Sequence, residues 1–322
     1  MKRMRVLVVA ILGTMPSVAG AETLYGVTNL QQLVTFDSVT RSVTATVSPA
    51  GFSITGELLI SIDVRPATGE LYGLSSLNNL YKINPITGAR TQVGATLATP
   101  PMGAYKAIDF NPTVDRIRVL GSGSTPNNLR YHPDTGALVL QDGDLTFAAG
   151  DTNLGDTPAI VNGAYTNSFA GAATTTLYDL DAFNDILATQ SPPNNGTLNT
   201  VGALGFDLTT GGGFTGFDIS GASGIAYLVG NNLAAGGLTA NSLYQVNLAT
   251  GAASSLGAVT GVSGSFRDIA VVGAVPEPTA IMLVVSGLAL VGIGRCRRAL
   301  CRSVREAEAR VSVARRGLAA FE

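Results

Sequence analysis

The 322-residue chain contains no tryptophan, one histidine and two cysteines, and only 13% of its residues are charged. Both cysteines, Cys296 and Cys301, follow the last apolar segment, so residues 22–273 cannot form a disulfide and depend on a buried core. One histidine and no cysteine in that range exclude a His/Cys zinc site. A Ser-His-Asp triad would need His132, but the chain has no G-x-S-x-G motif, and we expect His132 to be a solvated turn residue.

The charges that are present are segregated along the chain. Residues 22–274 hold 9 Lys/Arg and 18 Asp/Glu, whereas residues 1–21 hold three basic residues and no acidic ones. The last 28 residues hold eight arginines and three glutamates. An acidic middle lacks the basic face that a nucleic acid requires, so we expect no nucleic-acid partner. Basic ends around an acidic middle instead predict a chain that is exported and held at a membrane.

The N-terminus has the three parts of a secretory signal peptide. The basic stretch Met1–Arg5 precedes the apolar run Val6–Leu12, and Ala19 and Ala21 form an A-x-A-like cleavage site. The run is too short to span a bilayer, which takes about 20 residues. We therefore predict that residues 1–21 are a signal peptide, handled by the Sec translocon and signal peptidase. A buried N-terminal helix is the alternative.

Near the C-terminus, an apolar segment is flanked by prolines and by arginines. Val275, Pro276, Glu277 and Pro278 precede the uncharged stretch 279–294. This stretch predicts a short transmembrane helix, because proline is tolerated at a helix start and the apolar run gives a marginal span. The arginine cluster that follows places that side in the cytoplasm by the positive-inside rule. The cluster consists of Arg295, Arg297 and Arg298.

The order of Pro-Glu-Pro, apolar helix and arginine cluster resembles the PEP-CTERM sorting signal of exopolysaccharide-producing bacteria. The resemblance implies that residues 274–298 are recognised by exosortase, a membrane protease that releases or re-anchors its substrates. It also implies a cell-surface or extracellular-matrix location, with exopolysaccharide as a candidate partner. Such signals usually stop after the arginines, whereas this chain continues through residues 299–322. We predict a basic cytoplasmic tail there, either an amphipathic helix on the inner leaflet or an extension without function.

The middle of the chain repeats one four-strand pattern. Its copies start at Asp63, Asp109, Tyr165 and Asp218, which are spaced 46, 56 and 53 residues apart. The copies have strands rich in Val, Ile, Leu and Tyr, and three of them have a hairpin turn that ends in Thr-Gly, at residues 85–88, 133–136 and 249–251. Four strands at this period predict the blade of a β-propeller. The 39 glycines and the lack of helical periodicity argue against a helical bundle.

The two ends of this region match complementary parts of the pattern. Residues 23–37 match the second and third strands, and residues 267–271 match the first strand. Together they complete a fifth unit, and a blade made from both ends closes a ring. We therefore predict an all-β domain over residues 22–273, a β-propeller of about five four-stranded blades, followed by the single transmembrane helix. Six blades or an all-β sandwich are the alternatives.

The amino-acid sequence of the repeats shows a second resemblance. LYGLSSLNNLYKINPITGARTQVG (residues 71–94) and IDFNPTVDRIRV (residues 108–119) are similar to a bacterial extracytoplasmic family known as domain of unknown function 4394. The resemblance covers most of residues 23–273. It implies no activity, substrate or catalytic residue.

Acidic residues are the candidate cation ligands. Asp142, Asp144, Asp151 and Asp156 cluster in a loop-rich insertion, and carboxylates this dense are the ligands that Ca²⁺ takes. Calcium is therefore the one candidate cofactor, although solvated turn residues are the default interpretation.

A second set of acids recurs once per unit and is expected to line the propeller axis: Asp63, Asp109, Asp218 and Asp268. Such a set suits either a cation or hydrogen bonds to the backbone of the adjacent blade. We favour the hydrogen bonds, because buried polar groups are normally satisfied in this way. The stretch 211–216 matches G-x-G-x-x-G but lacks a strand–turn–helix setting, so we interpret it as a glycine-rich loop.

These observations predict a non-enzymatic, exported scaffold or binding protein at the cell surface. Two alternatives stay open: a carbohydrate-active hydrolase or lyase that uses aspartates on one propeller face, and a calcium-stabilised adhesion module. A pocket with two close carboxylates of shifted pKa would favour the enzyme, whereas a filled axis would favour the scaffold. The fold alone does not decide, because propellers host enzymes and binding modules alike.

Overall fold

The computed structural model describes residues 20–48, 56–208, 215–232 and 239–273. Within these residues the chain forms β-strands and one short 3-10 turn, Pro193–Asn195, with no α-helix. No helix in the described part is long and apolar enough to cross a membrane. The cleavage residue Ala19, the sorting motif, the predicted transmembrane helix, the arginine cluster and the tail all lie outside the described residues.

The strands are short and follow one another closely. The first eleven are β1 (Thr23–Thr28), β2 (Leu33–Asp37), β3 (Val43–Val47), β4 (Leu59–Val64), β5 (Leu71–Ser75), β6 (Leu80–Ile83), β7 (Arg90–Gln92), β8 (Lys106–Asn111), β9 (Arg116–Gly121), β10 (Asn128–Tyr131) and β11 (Leu138–Gln141). The others are β12 (Thr146–Phe147), β13 (Ile160–Tyr165), β14 (Leu177–Asp181), β15 (Ile186–Gln190), β16 (Thr197–Ala203), β17 (Gly216–Ile219), β18 (Ala226–Asn232), β19 (Thr239–Val246), β20 (Ala253–Ala258) and β21 (Phe266–Val271).

These strands form five antiparallel four-stranded blades. Blade 1 has the order β21-β1-β2-β3, and blade 2 runs from β4 to β7, blade 3 from β8 to β11, blade 4 from β13 to β16 and blade 5 from β17 to β20. The innermost strands β21, β4, β8, β13 and β17 contact one another in a closed ring. The predictions of an all-β fold and of five propeller blades are confirmed.

Blade 1 joins the two ends of the described domain. The pairing of β21 with β1 places Gly26 opposite Ile269, and the amide of Val272 donates to the carbonyl of Thr23 at 2.9 Å. The ring of Phe266 on β21 packs 5.4 Å from that of Phe36 on β2. The predicted closure of the ring by strands from both ends is therefore confirmed.

The apolar core lies between the blades. Five clusters of buried residues each join two neighbouring blades, so every blade interface has its own cluster. On β5, for example, Leu71 faces blade 1 whereas Tyr72 and Leu74 face blade 3. Side chains on a strand alternate between its two faces, and both faces of a blade are covered, so most residues of the second strands are buried.

The insertion after β11 does more than form a loop. Its short strand β12 pairs in parallel with β16, aligning Thr146 with Thr197 on the outer edge of blade 4. Leu145 and Phe147 are buried against blade 4. The sequence pattern assigned this segment to the second repeat as a loop-rich insertion; it instead covers a neighbouring sheet edge, which would otherwise expose unpaired backbone groups.

Candidate functional site

Three of the predicted axial aspartates occupy one layer of the ring. Asp63, Asp109 and Asp218 hold the same register on the inner strands of blades 2, 3 and 5. Ala164 and Ala270 hold that register in blades 4 and 1. The three buried aspartates each offer a carboxylate oxygen, and these oxygens lie within 4.8 Å of one another. The sequence placed the third repeat at Tyr165, one residue beyond the true register position.

These three carboxylates satisfy one backbone amide from each of the five inner strands. Five of the six carboxylate oxygens accept a bond of 2.5–3.0 Å, either from the residue that follows the aspartate or from the matching residue of the next blade. The donors are Val64 and Phe110 to Asp63, Tyr165 to Asp109, and Ile219 and Val271 to Asp218. The predicted hydrogen bonding to adjacent blades is confirmed.

Asp268 belongs to a second layer, two residues away along β21. Its Oδ2 accepts from the Ser61 hydroxyl at 2.6 Å and from the Ile62 amide at 2.9 Å. Its Oδ1 accepts from Asn162 Nδ2 at 2.6 Å and from the amide of the next residue. The bond from Asn162 spans blade 5, where Gly216 stands at this register and a Cβ would lie 2.5 Å from a backbone nitrogen. The expectation that Asp268 is equivalent to the other three aspartates is therefore wrong.

Burial shifts the protonation of all four axial acids. Loss of hydration raises the pKa of Asp63 and Asp109 well above the ordinary value, and mutual repulsion among the carboxylates adds to it. Loss of hydration also raises the pKa of Asp218 and of Asp268 to about 7, against the lowering effect of the amides and the hydroxyl that they accept. At neutral pH the axis therefore carries less negative charge than its four carboxyls formally supply.

A small pocket opens beside the second layer. All five blades contribute to its wall, through Ile60, Lys106, Asn162, Thr215 and Arg267 in blades 2, 3, 4, 5 and 1. Its volume is about 80 Å³. A space of this size takes a few water molecules or one small polar group, not a whole drug-sized ligand. We call it the axial pocket.

Two cationic side chains, those of Lys106 and Arg267, line the axial pocket. Burial lowers the pKa of Lys106 and, separately, that of Arg267, which matches their half-buried positions at its wall. The ammonium of Lys106 donates to the side-chain oxygen of Asn78 at 2.8 Å. Asp268 also lines the pocket, but four donors already occupy its oxygens.

The four loop aspartates proposed as calcium ligands are not brought together. In the described part of the chain, no three of them offer carboxylate oxygens within 4.8 Å of one another, a spacing that only the axial trio meets. Asp142 is buried between two arginines, accepting from Arg118 at 2.5 Å and from Arg130 at 2.7 Å. Asp151 accepts from the amide and hydroxyl of Thr200 at 2.7 Å.

Asp144 and Asp156, the remaining two, are exposed. The sequence pattern clustered four acids but could not show that arginines from two other strands neutralise one of them. His132 lies in a turn, where its Nδ1 accepts the amide of Asp134 at 3.2 Å, as expected for a turn residue.

Sequence reasoning missed the cationic side of the axial pocket. Lys106 and Arg267 lie at the starts of inner strands 161 residues apart, and no spacing rule connects them. Asn162 gave no signal, because the inner strands carry unlike residues at its register, Ser61, Ala107, Gly216 and Asp268. The one available signal was that both basic residues come shortly before an axial aspartate, Asp109 and Asp268.

The family comparison decides where this chain belongs. Residues 32–270 match the family described as a domain of unknown function, DUF4394. The chain is a member of this family. The match spans β2 to β21, which is nearly the whole ring of this DUF4394 protein. No curated protein matches it.

Solved structures resemble the DUF4394 chain only distantly. A protein of unknown function from Bacteroides caccae is 11% identical, covering 79% of this chain and 99% of the other, with a TM-score of 0.39. A chain of a nidogen/laminin complex is 13% identical, covering 79% and 98%, with a TM-score of 0.41. An auxiliary nutrient binding protein from Bacteroides ovatus is 17% identical, covering 55% and 46%, with a TM-score of 0.34. No functional argument follows from similarity this weak.

Proposed function

We propose that this DUF4394 protein is an exported, non-enzymatic binding protein whose axial pocket receives a small polar group of its ligand. The observation that carries the proposal is the convergence of all five blades on that pocket. Because every blade contributes a residue, the closed ring fixes the positions of the pocket residues. Ligand sites are commonly concave places where several structural elements meet. The remainder of the ligand then lies across the face of the propeller around the pocket.

The buried carboxylates support a binding role over a hydrolytic one. A glycosidase needs one carboxyl that protonates the leaving group and a second that acts as base or nucleophile. Here the oxygens of Asp63, Asp218 and Asp268 each accept backbone or side-chain donors inside the ring. Two close carboxylates with raised pKa are present, but their oxygens accept hydrogen bonds that join the inner strands of neighbouring blades.

Binding is tested by covering the pocket. Ala104 is an exposed residue at its edge, so Ala104→Trp would obstruct the opening without entering the core. The matched control is Ala137→Trp, at an exposed position just before the outer strand of blade 3. The probe is the soluble exopolysaccharide of the producing bacterium, passed over the immobilised full-length protein. We expect A104W to lose at least tenfold in retention and A137W to behave as the unaltered chain.

Equal retention by both variants would show that the pocket is not the binding site. No retention by any of the three proteins would favour a scaffold without a polysaccharide ligand. A thermal melt with and without chelator decides the calcium-stabilised adhesion module, which requires the midpoint to fall when chelator is added.

We further propose that the terminal segments export this domain and hold it at the cell surface. The signal peptide, Pro276-Glu277-Pro278 and the arginine cluster support this through their order in the sequence. Intact-mass measurement of the protein from its native envelope tests it. We expect loss of residues 1–21 and processing near the Pro-Glu-Pro element; a full-length mass in the cytosol would contradict export.

A further inference from the structure

Two basic residues line the axial pocket of an otherwise acidic domain. Residues 22–274 carry 9 basic and 18 acidic residues, yet two of those nine basic residues line this one small space. A partly buried cation loses hydration, and an opposite charge is the usual compensation. The described hydrogen bond of Lys106 goes to the neutral side chain of Asn78, whereas the oxygens of Asp268 in the pocket wall already accept four other donors.

Four other basic residues of the domain, Arg65, Lys82, Arg118 and Arg130, have carboxylate partners among the described residues. Arg65 bonds Asp115 at 2.5–2.8 Å, and Lys82 bonds Glu70 at 2.9 Å. The described contacts of Lys106 thus differ from those of Lys82, which has the same chemistry on the third strand of blade 2. This contrast indicates that the position at Lys106 is suited to an anion that the chain itself does not provide.

We propose that the axial pocket binds the carboxylate of an acidic sugar, with Lys106 and Arg267 as its cationic partners. This inference rests on the proposed binding function and names the ligand class for the same pocket. A guanidinium can donate two parallel hydrogen bonds to a planar carboxylate, and an ammonium adds a point charge. The volume of about 80 Å³ suits a carboxylate with a few waters, so the sugar ring lies at the opening.

The acid at the pocket wall restricts the charge of the ligand. Asp268 lines the same space and is nearly fully buried, so any negative charge on it repels an entering anion. A singly charged carboxylate faces two cations and tolerates this repulsion better than a doubly charged phosphate does. Ile60 and Val161 form the apolar part of the wall and lower the local dielectric, which strengthens these charge interactions.

The test measures binding of two sugars that differ only in charge. Methyl glucuronoside and methyl glucoside are titrated calorimetrically into the full-length protein at low salt, with inorganic phosphate as a third probe. We expect the glucuronoside to bind at least tenfold more tightly than the glucoside, and to weaken as salt is added. Phosphate is expected to bind more weakly than the glucuronoside.

Variants separate the pocket charge from the overall charge. Lys106→Gln removes the pocket ammonium, and Lys82→Gln is the matched control that removes the same charge elsewhere. We expect K106Q to lose at least tenfold in glucuronoside affinity and K82Q to keep it. Arg267→Gln, with circular dichroism as the check of folding, gives a second loss of similar size.

The outcomes separate this inference from the proposed function. Equal affinity for the two sugars, tighter binding of phosphate, or unchanged affinity in K106Q overturns the carboxylate assignment. If A104W still abolishes polysaccharide retention in any of those cases, the pocket remains the binding site. If A104W also leaves retention unchanged, the proposed function fails with it.

Discussion

Asp179 gives the sharpest test of the electrostatics of the ring. It lies on β14 with no exposed surface, and neither of its carboxylate oxygens has a hydrogen-bond partner among the described residues. It lies beside Gly163, where an added Cβ would be 2.6 Å from Asp179 Oδ1 and 2.7 Å from Leu120 of blade 3. Burial raises its pKa to about 8, with Arg118 opposing and Asp181 reinforcing the shift.

The direction of the pH effect follows from proton binding. Between its ordinary pKa of 3.8 and a folded pKa of about 8, Asp179 is protonated in the folded chain and ionised in the unfolded one. The folded state then binds more protons, so the free energy of unfolding falls as pH rises through this window. At about 1.4 kcal/mol per pH unit, the loss from pH 5 to pH 8 is roughly 4 kcal/mol.

Asp179→Asn removes this ionisation. The asparagine amide also lacks partners, so its benefit is smaller near pH 5 and largest at pH 8 and above. For a domain of this size 1 kcal/mol shifts Tm by about 2–4 °C, so the variant should gain roughly 10 °C relative to the unaltered chain between pH 5 and pH 8. Thermal melts of both proteins across that range measure this difference in Tm. Asp144→Asn, at an exposed position, is the control, and its Tm should follow that of the unaltered chain at every pH.

Parallel pH profiles for D179N and the unaltered chain would refute the reasoning. Such a result would mean that Asp179 is ionised when folded, or that water enters the space between blades 3 and 4. Asp218 and Asp268, whose pKa values are also raised to about 7, leave a residual decline of stability with pH in both proteins.

Three further stability predictions follow from buried contacts. Asp142→Asn leaves Arg118 as a buried cation without its carboxylate and should reduce the free energy of unfolding by about 3–5 kcal/mol in urea melts; a variant as stable as the parent would show that water or the nearby carboxyl of Asp179 compensates. Phe266→Ala removes the largest apolar side chain of β21 and should cost about 3–5 kcal/mol. Gly26→Ala is destabilising alone because its Cβ meets the Phe266 ring, and it should be better tolerated when combined with F266A; additive losses would contradict that contact.

The repeat architecture could be predicted because each blade contains its own local signals. Gly88 and Gly136 close their Pro-x-Thr-Gly turns at φ of 71° and 64°, a conformation that glycine adopts without strain. The second strands are mostly buried on both faces because a neighbouring blade covers each face. The closure of the ring was also predictable, since β1 and β21 each lacked the strands that the other supplied.

The candidate site could not be predicted in the same way because it depends on differences between the repeats. Asp268 looks like a fourth copy of the axial aspartate, but its register on β21 is shifted by two residues, which places it in another layer. Lys106 and Arg267 come from blades 3 and 1, and only the closed ring brings both to the wall of one pocket. A pattern that aligns the repeats shows what they share, whereas the axial pocket is made from positions where they diverge.

The count of acceptors explains why the axial layer breaks the symmetry of the ring. Five inner strands present five inward amides, and a carboxylate offers two oxygens, so three aspartates suffice where five would crowd ten oxygens around one axis. Ala164 and Ala270 occupy the two remaining positions and relieve that repulsion. Asp268, in the wall of the axial pocket, is hydrogen-bonded to Ser61 of blade 2 and to Asn162 of blade 4. These bonds tie three blades together beside the pocket, and under the proposed binding function they favour capture of a terminal group of the ligand over passage of a chain through the ring.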